Sequence, residues 1–377
     1  MTVTQDPKSL KKTPLDALHR ELGAKMVPFA GYEMPLHYPR GIIHEHTHTR
    51  SAAALFDISH MGQIRIVGEA AAELQILVPS SLTDLPVHRQ RYTVFTRPNG
   101  GILDDLMITN GGDHLFLVVN AARKEDDPAH LRTHLTDRCR ITELSEQALL
   151  ALQGPKAVSV MARLAPGTET MPFLSARVVE IDAIECFVTR SGYTGEDGYE
   201  LSMPTRQADR LARLLLSQPG VEAAGLGARN SLRLEAGLCL YGHDIDETIT
   251  PVEAGLGWVV AQVYRNGVQP AGFPGAEIIL EQLRSGPVRR RVGLKPEGRA
   301  PVRGGATLLN RQDEVIGRVT SGGFGPTVNA PIAMGYVDAE YAGAGTGLIT
   351  QLRGRAYPVR VASLPFVEHR YFRGESG

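Results

Sequence analysis

The run Gly100-Gly101-Ile102-Leu103-Asp104-Asp105-Leu106-Met107-Ile108 sets two adjacent carboxylates inside an apolar stretch. Aspartate is depleted in strands because its side chain competes for backbone hydrogen bonds and needs water. A pair of them in such a place therefore calls for an explanation. Side chains alternate faces along a strand. Asp104 should lie with Ile102, Leu106 and Ile108, and Asp105 with Leu103, Met107 and Thr109. The two carboxylates then point in opposite directions, which argues against a shared-proton dyad between them. At most one of them can do chemistry in a given pocket. Taken alone, the pair reads first as strand-end acids making turn or salt-bridge contacts, since functional acids are a minority of all acids.

Other residues offer different chemistry. His44-Glu45-His46-Thr47-His48 fits H-E-x-x-H, in which two histidines four apart share a helix face and bind zinc. Glu69 or Glu73 could be the third ligand. The flanking residues do not build the long amphipathic helix such a site needs, so the segment reads as an exposed polar helix and no metal is expected. Arg190 to Glu200 packs two tyrosines and three acids among tight glycine turns. It could line a pocket with an aromatic wall and an acceptor, or form a hairpin with solvated acids. Arg229 and Arg233 share a helix face. Arg233 with Glu235 reads as a structural ion-pair site, whereas Arg229 at a helix start runs against the macrodipole, which hints at a job for it. No complete G-x-G-x-x-G, P-loop or G-x-S-x-G occurs, so dinucleotide, nucleotide and serine-hydrolase chemistry lack support.

The elements that must position these residues show up as periodicities. Thr13-Pro14 opens a short helix with Leu15, Leu18 and Leu22 on one face, stopped by Gly23. Gln63 to Val67 alternates as a strand, and Ala70 to Leu77 reads as a helix. Tyr92 to Phe95, Ile102 to Thr109 and Leu115 to Asn120, joined by Asn/Gly turns, predict a three-strand meander. The acid pair sits in its middle strand. Ser145 to Leu152 reads as a strand, and Gln207 to Leu215, Ala228 to Leu238 and Gly275 to Leu283 read as helices. Arg289, Arg290 and Arg291 look like a solvated strand edge at a boundary. Short strands follow at Val292–Leu294, Ile316–Thr320, Ala333–Val337, Leu348–Leu352 and Tyr357–Ala362, predicting an all-β barrel or sandwich. The whole is an α+β protein.

At 377 residues the chain is too long for one ordinary core, so two or three domains are expected. A net charge of -1 without a basic face gives no electrostatic argument for nucleic acid. Cys139, Cys186 and Cys239 are odd in number and far apart, which suggests a reducing compartment. Met1 to Lys12 lacks the apolar core of a secretory signal, and no run of 18 apolar residues occurs. The expectation is a soluble intracellular protein.

Several segments, in order from about residue 13 to 371, resemble the aminomethyltransferase (T-protein) family of the glycine cleavage system. They are Ala24–Met26 through Gly31–Leu36, Phe56–Gly62, Gly100–Ile108, Leu152–Pro155, Ser191–Glu200, Gly225–Leu238 and Thr320–Thr327. The resemblance implies a three-domain cloverleaf with antiparallel sheets flanked by helices, a C-terminal all-β barrel or jelly roll, and tetrahydrofolate in a central channel. The implied domains are 1–57 with 146–275, then 58–145, then 276–377. It implies that Asp105, the second acid of the pair, is catalytic. Met61, Tyr92, Asn120, Tyr193, Glu200, Arg229 and Tyr371 would line the folate. Asn230 and Tyr32 depart from the commoner Asp and Trp.

The implied reaction takes an aminomethyl group from the dihydrolipoyl arm of H-protein to tetrahydrofolate, releasing ammonia. H-protein would be the partner, with P-protein and L-protein linked in function. The location would be bacterial cytoplasm, or the mitochondrial matrix if the source is eukaryotic. A carboxylate such as Glu200 can accept the paired N–H and amino group of a pterin, and tyrosines and Met61 offer apolar surface to its rings. A carboxylate beside N10 can take a proton and stabilise developing positive charge. The alternatives are a folate-dependent demethylase of a small sulfonium or N-methyl substrate on the same fold, and a non-catalytic folate-binding protein.

Overall fold

A computed structural model describes residues 10–352 and 355–374. The polar N-terminal segment through Ser9 lies outside the described residues. Among the described residues, no helix is long and apolar enough to cross a membrane.

Three large bodies of sheet, and a small three-stranded one in the order Lys11–Lys12, Tyr32–His37, Lys25–Phe29, are arranged around one cavity. The first is six-stranded, in the order Ala176–Ile181, Ile184–Thr189, Gly198–Pro204, Gln147–Gln153, Ala53–Asp57, Val221–Ala223. Pairing is antiparallel except at Val221–Ala223, which runs parallel to Ala53–Asp57. One face carries Leu150, Leu152, Tyr199 and Leu201 against Met161 of the helix Ala157–Leu164 and Leu211 and Leu215 of the helix Ala208–Leu216. Burying each such side chain contributes roughly 1.5–3 kcal/mol.

The second body, five-stranded and antiparallel, is spliced between Ala53–Asp57 and Gln147–Gln153. Its order is Gln90–Thr96, Ile102–Asn110, His114–Val119, Gly62–Gly68, Cys139–Glu143. The predicted meander is its first three strands. Phe116 and Val118 of this sheet pack on Phe56, Leu149 and Ala151 of the first, with Ala228 and Leu232 of the helix Leu226–Glu235 in the same cluster. The two sheets therefore meet face against face next to that helix. The segment from Cys239 to Ile279 lays a further apolar cluster over Val94 and Ile102 and touches Tyr336.

The third body is a closed six-stranded barrel, Arg289–Pro296, Ala330–Asp338, Val315–Gly325, Thr307–Leu309, Gly347–Leu352, Arg355–Ala362. The five short strands read from the sequence all lie in it. After the barrel the chain returns to the first sheet as a strap. Phe366 and Val367 donate backbone N–H groups to Glu235 O, Arg370 N donates to Gly195 O, and Phe173 N donates to Phe372 O.

The structure corrects three expectations. The histidine segment does form a helix, Ile42–Ser51, but it is not an exposed one: Glu45, His46, Thr49 and Arg50 are buried. Arg50 pairs with Glu196 at 2.9 Å and Glu235 at 3.0 Å, and His46 lies 3.1 Å from Glu235, so this helix carries a buried charge network. The acids of Arg190–Glu200 are not solvated either. Arg190 forks onto Asp197, Nε to Oδ1 at 3.0 Å and Nη2 to Oδ2 at 2.5 Å, and Glu196 is buried. Within the arginine run, Arg291 is held inward, donating to Ala254 O at 2.7 Å and Gly237 O at 2.8 Å.

Candidate active site

The middle strand of the meander behaves as its alternation requires. Ile102, Asp104, Leu106 and Ile108 are buried, while Leu103, Asp105 and Met107 are half-buried. The glycine turn before it is sterically obligatory at Gly101, where a Cβ would come 1.9 Å from Glu247 O. Asp105 opens onto a cavity of about 1540 Å³ between the sheets, the barrel and the strap. Met61, Tyr92, Asn120, Tyr193, Glu200, Arg229 and Tyr371 all line the same cavity. The structure thus brings together every site residue expected from the resemblance.

Asp105 is held at two points. Tyr92 donates its hydroxyl to Oδ2 at 3.1 Å, and Asn120 Nδ2 donates to Oδ1 at 2.7 Å. Burial and the adjacent Asp104 raise its pKa to about 7, against the pull of those two hydrogen bonds. A carboxyl poised near neutrality is suited to moving a proton. On the opposite face, Asp104 accepts Asn120 Nδ2 at 2.9 Å and Asn120 N at 3.2 Å. The amide of Asn120 therefore bridges both acids from one side chain.

Asp104 has a second partner that strand reasoning did not supply. Asp127, at the start of the helix Asp126–His134, is 1 % exposed. Among the described residues its carboxylate makes no hydrogen bond, and Arg123 Nε lies 3.9 Å from its Oδ1. Burial raises both acids, and the charge of Asp127 raises Asp104 further. Two like charges in so dry a place oppose each other's ionisation, so the protonation of one acid depends on that of the other. Asp104 thus makes no dyad with Asp105, as alternation required, but it is coupled electrostatically to an acid 23 residues further on, which no local spacing announces.

Across the cavity, Glu200 sits on the strand Gly198–Pro204 and accepts Ser191 Oγ at 3.3 Å. Burial raises its pKa, opposed by the charge of Arg229. Arg229 stacks its guanidinium over the Tyr193 ring at 4.8 Å, and its Nη1 is buried without a hydrogen-bond partner among the described residues. Burial lowers its pKa, the expected cost of an unsatisfied buried cation. The conflict with the helix macrodipole noted in the sequence has its answer here: the guanidinium is spent on the cavity. Arg233 turns instead to Asp244, 2.6 Å away, not to Glu235. Asn230 accepts two N–H groups from Arg233, and the Tyr32 hydroxyl accepts from Lys124, so both departures from the family pattern are satisfied locally.

The remaining walls are aromatic. Tyr371 on the strap stacks flat against Phe173 with centroids 4.0 Å apart. Trp258 lies 5.5 Å from Tyr92 and is largely exposed to solvent. Phe173, His60 and Trp258 line the cavity without having been expected there as ligands. His60 is neutral, because burial lowers its pKa to about 4. Only its place in Phe56–Gly62 could have flagged His60, and no periodicity marks Phe173.

An acid-bearing antiparallel sheet spliced into a second sheet, with a C-terminal barrel and strap closing a shared cavity, defines an α+β class of protein built around one enclosed small-molecule site. Comparison with known proteins narrows that class to one family. The GCVT N-terminal domain family matches residues 15–263, and the glycine cleavage T-protein C-terminal barrel domain matches residues 289–368. The chain belongs to this glycine cleavage T-protein family. It is 43% identical to the mitochondrial aminomethyltransferase of Dictyostelium discoideum, covering 96% of this chain and 94% of that one. It is also 43% identical to the Homo sapiens mitochondrial aminomethyltransferase, covering 96% and 91%. The crystal structure of glycine cleavage system aminomethyltransferase T from Bartonella henselae superposes with a TM-score of 0.91 at 46% identity, covering 97% of this chain and all of that one.

Proposed function

We propose that this protein is a tetrahydrofolate-dependent aminomethyltransferase. It takes the aminomethyl group from the dihydrolipoyl arm of H-protein, releases ammonia and yields 5,10-methylenetetrahydrofolate. The observation that carries this reading is the pair of carboxyls, Asp105 and Glu200, facing one aromatic-walled cavity from two different sheets. Glu200 with the unpaired Arg229 Nη1 offers an acceptor and a donor on one side. Such a pair suits the polar edge of a pterin, while Tyr193, Tyr92 and the Phe173–Tyr371 stack offer faces to flat rings.

Bound tetrahydrofolate would supply the two nitrogens that accept the carbon. This chain's residues do the rest. Glu200, Ser191 and Arg229 anchor one end, so that the reacting end meets Asp105. Asp105 takes a proton at Oδ2 or Oδ1 and stabilises positive charge nearby. Tyr92 and Asn120 fix its orientation, and the coupled acids Asp104 and Asp127 lie behind it. The cavity walls exclude bulk water, which would otherwise compete for the transferred carbon.

The catalytic role of Asp105, the binding roles of Met61, Tyr92, Asn120, Tyr193, Glu200, Arg229 and Tyr371, and the three-domain division are part of this proposal. So are partnership with lipoylated H-protein, functional linkage to P-protein and L-protein, and residence in a bacterial cytoplasm or, in a eukaryote, the mitochondrial matrix. The test is incubation with aminomethyl-loaded H-protein and tetrahydrofolate. Equimolar ammonia and methylenetetrahydrofolate are expected. Their absence, with folate bound, would defeat the reading.

A further inference from the structure

We propose that His44, His48 and Glu222 form a binding site for a first-row divalent transition metal, with Zn²⁺ the expected occupant, on the surface and apart from the cavity. The helix Ile42–Ser51 places His44 and His48 one turn apart, with ring centroids 5.7 Å from each other. Glu222 comes from the edge strand Val221–Ala223, which pairs with the strand Ala53–Asp57 directly after that helix. One donor atom from each of the three residues lies within 4.8 Å of the other two. None of the three residues lines the cavity.

The hydrogen bonds prepare these donors. His48 Nε2 lies 3.0 Å from Gly220 O, which can only accept, so Nε2 carries the proton. That leaves Nδ1 bare, 3.6 Å from Glu222 Oε1. A ligand histidine fixed through its other nitrogen to a backbone carbonyl is the usual support of a metal site. His44 Nε2 lies 2.7 Å from Glu222 Oε2, a contact a metal would replace by taking the place of the shared proton. The side chains of His44, His48 and Glu222 are 28%, 15% and 34% exposed, open enough for entry and for a completing water. Zinc bonds of about 2.0–2.2 Å need tetrahedral donors roughly 3.3 Å apart, so the triad must tighten by up to about 1.5 Å.

Two neighbours shape the outcome. Arg40 Nη1 already holds Glu222 Oε1 at 2.7 Å, so its charge opposes the metal. Glu45, the acid of the H-E-x-x-H pattern, points away, its oxygens taken by Tyr38 N at 2.6 Å and Gly225 N at 2.9 Å. Glu45 is therefore not free to act as a hydrolytic base beside the metal. The site clamps helix to strand and hydrolyses nothing. Glu69 and Glu73, expected as possible third ligands, are engaged elsewhere, with Arg138 and Thr136 N.

The test is calorimetric titration of the untagged, chelator-stripped protein with Zn²⁺, followed by Co²⁺ binding read from its visible absorption. One equivalent should bind, with tetrahedral Co²⁺ absorption and a higher melting temperature. His48→Gln and Glu222→Gln should each weaken binding at least ~10-fold, a loss of one ligand or more. Arg40→Ala should tighten it. The idea is overturned if no saturable one-equivalent binding occurs. It is equally overturned if a His44→Ala/His48→Ala double variant, folded by circular dichroism, binds Zn²⁺ as the parent does.

Discussion

Asp105→Asn should make the protein more stable while cutting its turnover, and the gain should depend on pH in a defined way. Asp105 has its pKa raised from 3.8 to about 7 in the fold. Well below pH 3.8 the carboxyl is protonated folded and unfolded, and it behaves much like an amide. As pH rises from 4 to 7 the unfolded chain gives up the proton that the folded chain still holds, and stability falls. Each tenfold gain in proton affinity is worth about 1.4 kcal/mol, so this rise costs the parent ~4 kcal/mol above pH 8, and about 1.5 kcal/mol at pH 5. The asparagine keeps partners for Tyr92 and Asn120 without the buried charge. Urea denaturation of both proteins at pH 5 and pH 8, with equal m-values as the check on cooperativity, measures the difference. Turnover should drop by ~10²-fold or more, the size of a general acid–base contribution. A variant equally stable or less stable at pH 8, or a difference that does not grow with pH, would refute the reasoning that a poorly solvated carboxylate drives the site. Near-normal activity would remove Asp105 from the chemistry.

Glu200→Gln should weaken tetrahydrofolate binding by roughly 10–100-fold, the worth of a charge-assisted hydrogen bond. Quenching of Trp258, the single tryptophan, which lines the cavity, reads the titration. Asp127→Asn should move the acid limb of the kcat/KM profile to higher pH. Without the Asp127 charge Asp104 ionises more readily, and its charge then raises Asp105 further; an unmoved limb would show the pair is uncoupled from catalysis. Arg190→Ala should cost about 3–5 kcal/mol, because it strands the buried Asp197 and empties the space over Phe372, 4.3 Å from the guanidinium. Chemical denaturation measures it, and a loss under ~1 kcal/mol, the range of exposed pairs, would mean the pair is solvated.

Much of the scaffold was legible because it is periodic. The meander, the helices Ala208–Leu216 and Ala276–Ser285 and the barrel strands follow apolar alternation and glycine turns. Alternation also placed Asp105 and Asp104 on opposite faces. What escaped is held by long-range pairing. Strands such as Ala53–Asp57 are buried on both faces and show no alternation. The choice of Asp105 over Asp104 came from family resemblance, since either face could have met a pocket. Asp127 and Phe173 reach the site through packing between segments far apart in sequence. The histidine segment misled because a polar helix usually faces water, whereas Arg50, Glu196 and Glu235 supply enough opposite charge to bury this one.

The splice of one sheet into another has a kinetic consequence. The strands Ala53–Asp57 and Gln147–Gln153 pair directly, with Asp57 opposite Leu150, although the whole five-stranded sheet lies between them. Joining them before that sheet exists means closing a long floppy loop, whose entropic penalty grows with the logarithm of its length. Once the inserted sheet has formed, its first strand Gly62–Gly68 lies paired with its last, Cys139–Glu143, and the two ends are already side by side. A lesion in the insert should therefore slow the completion of a sheet it does not belong to.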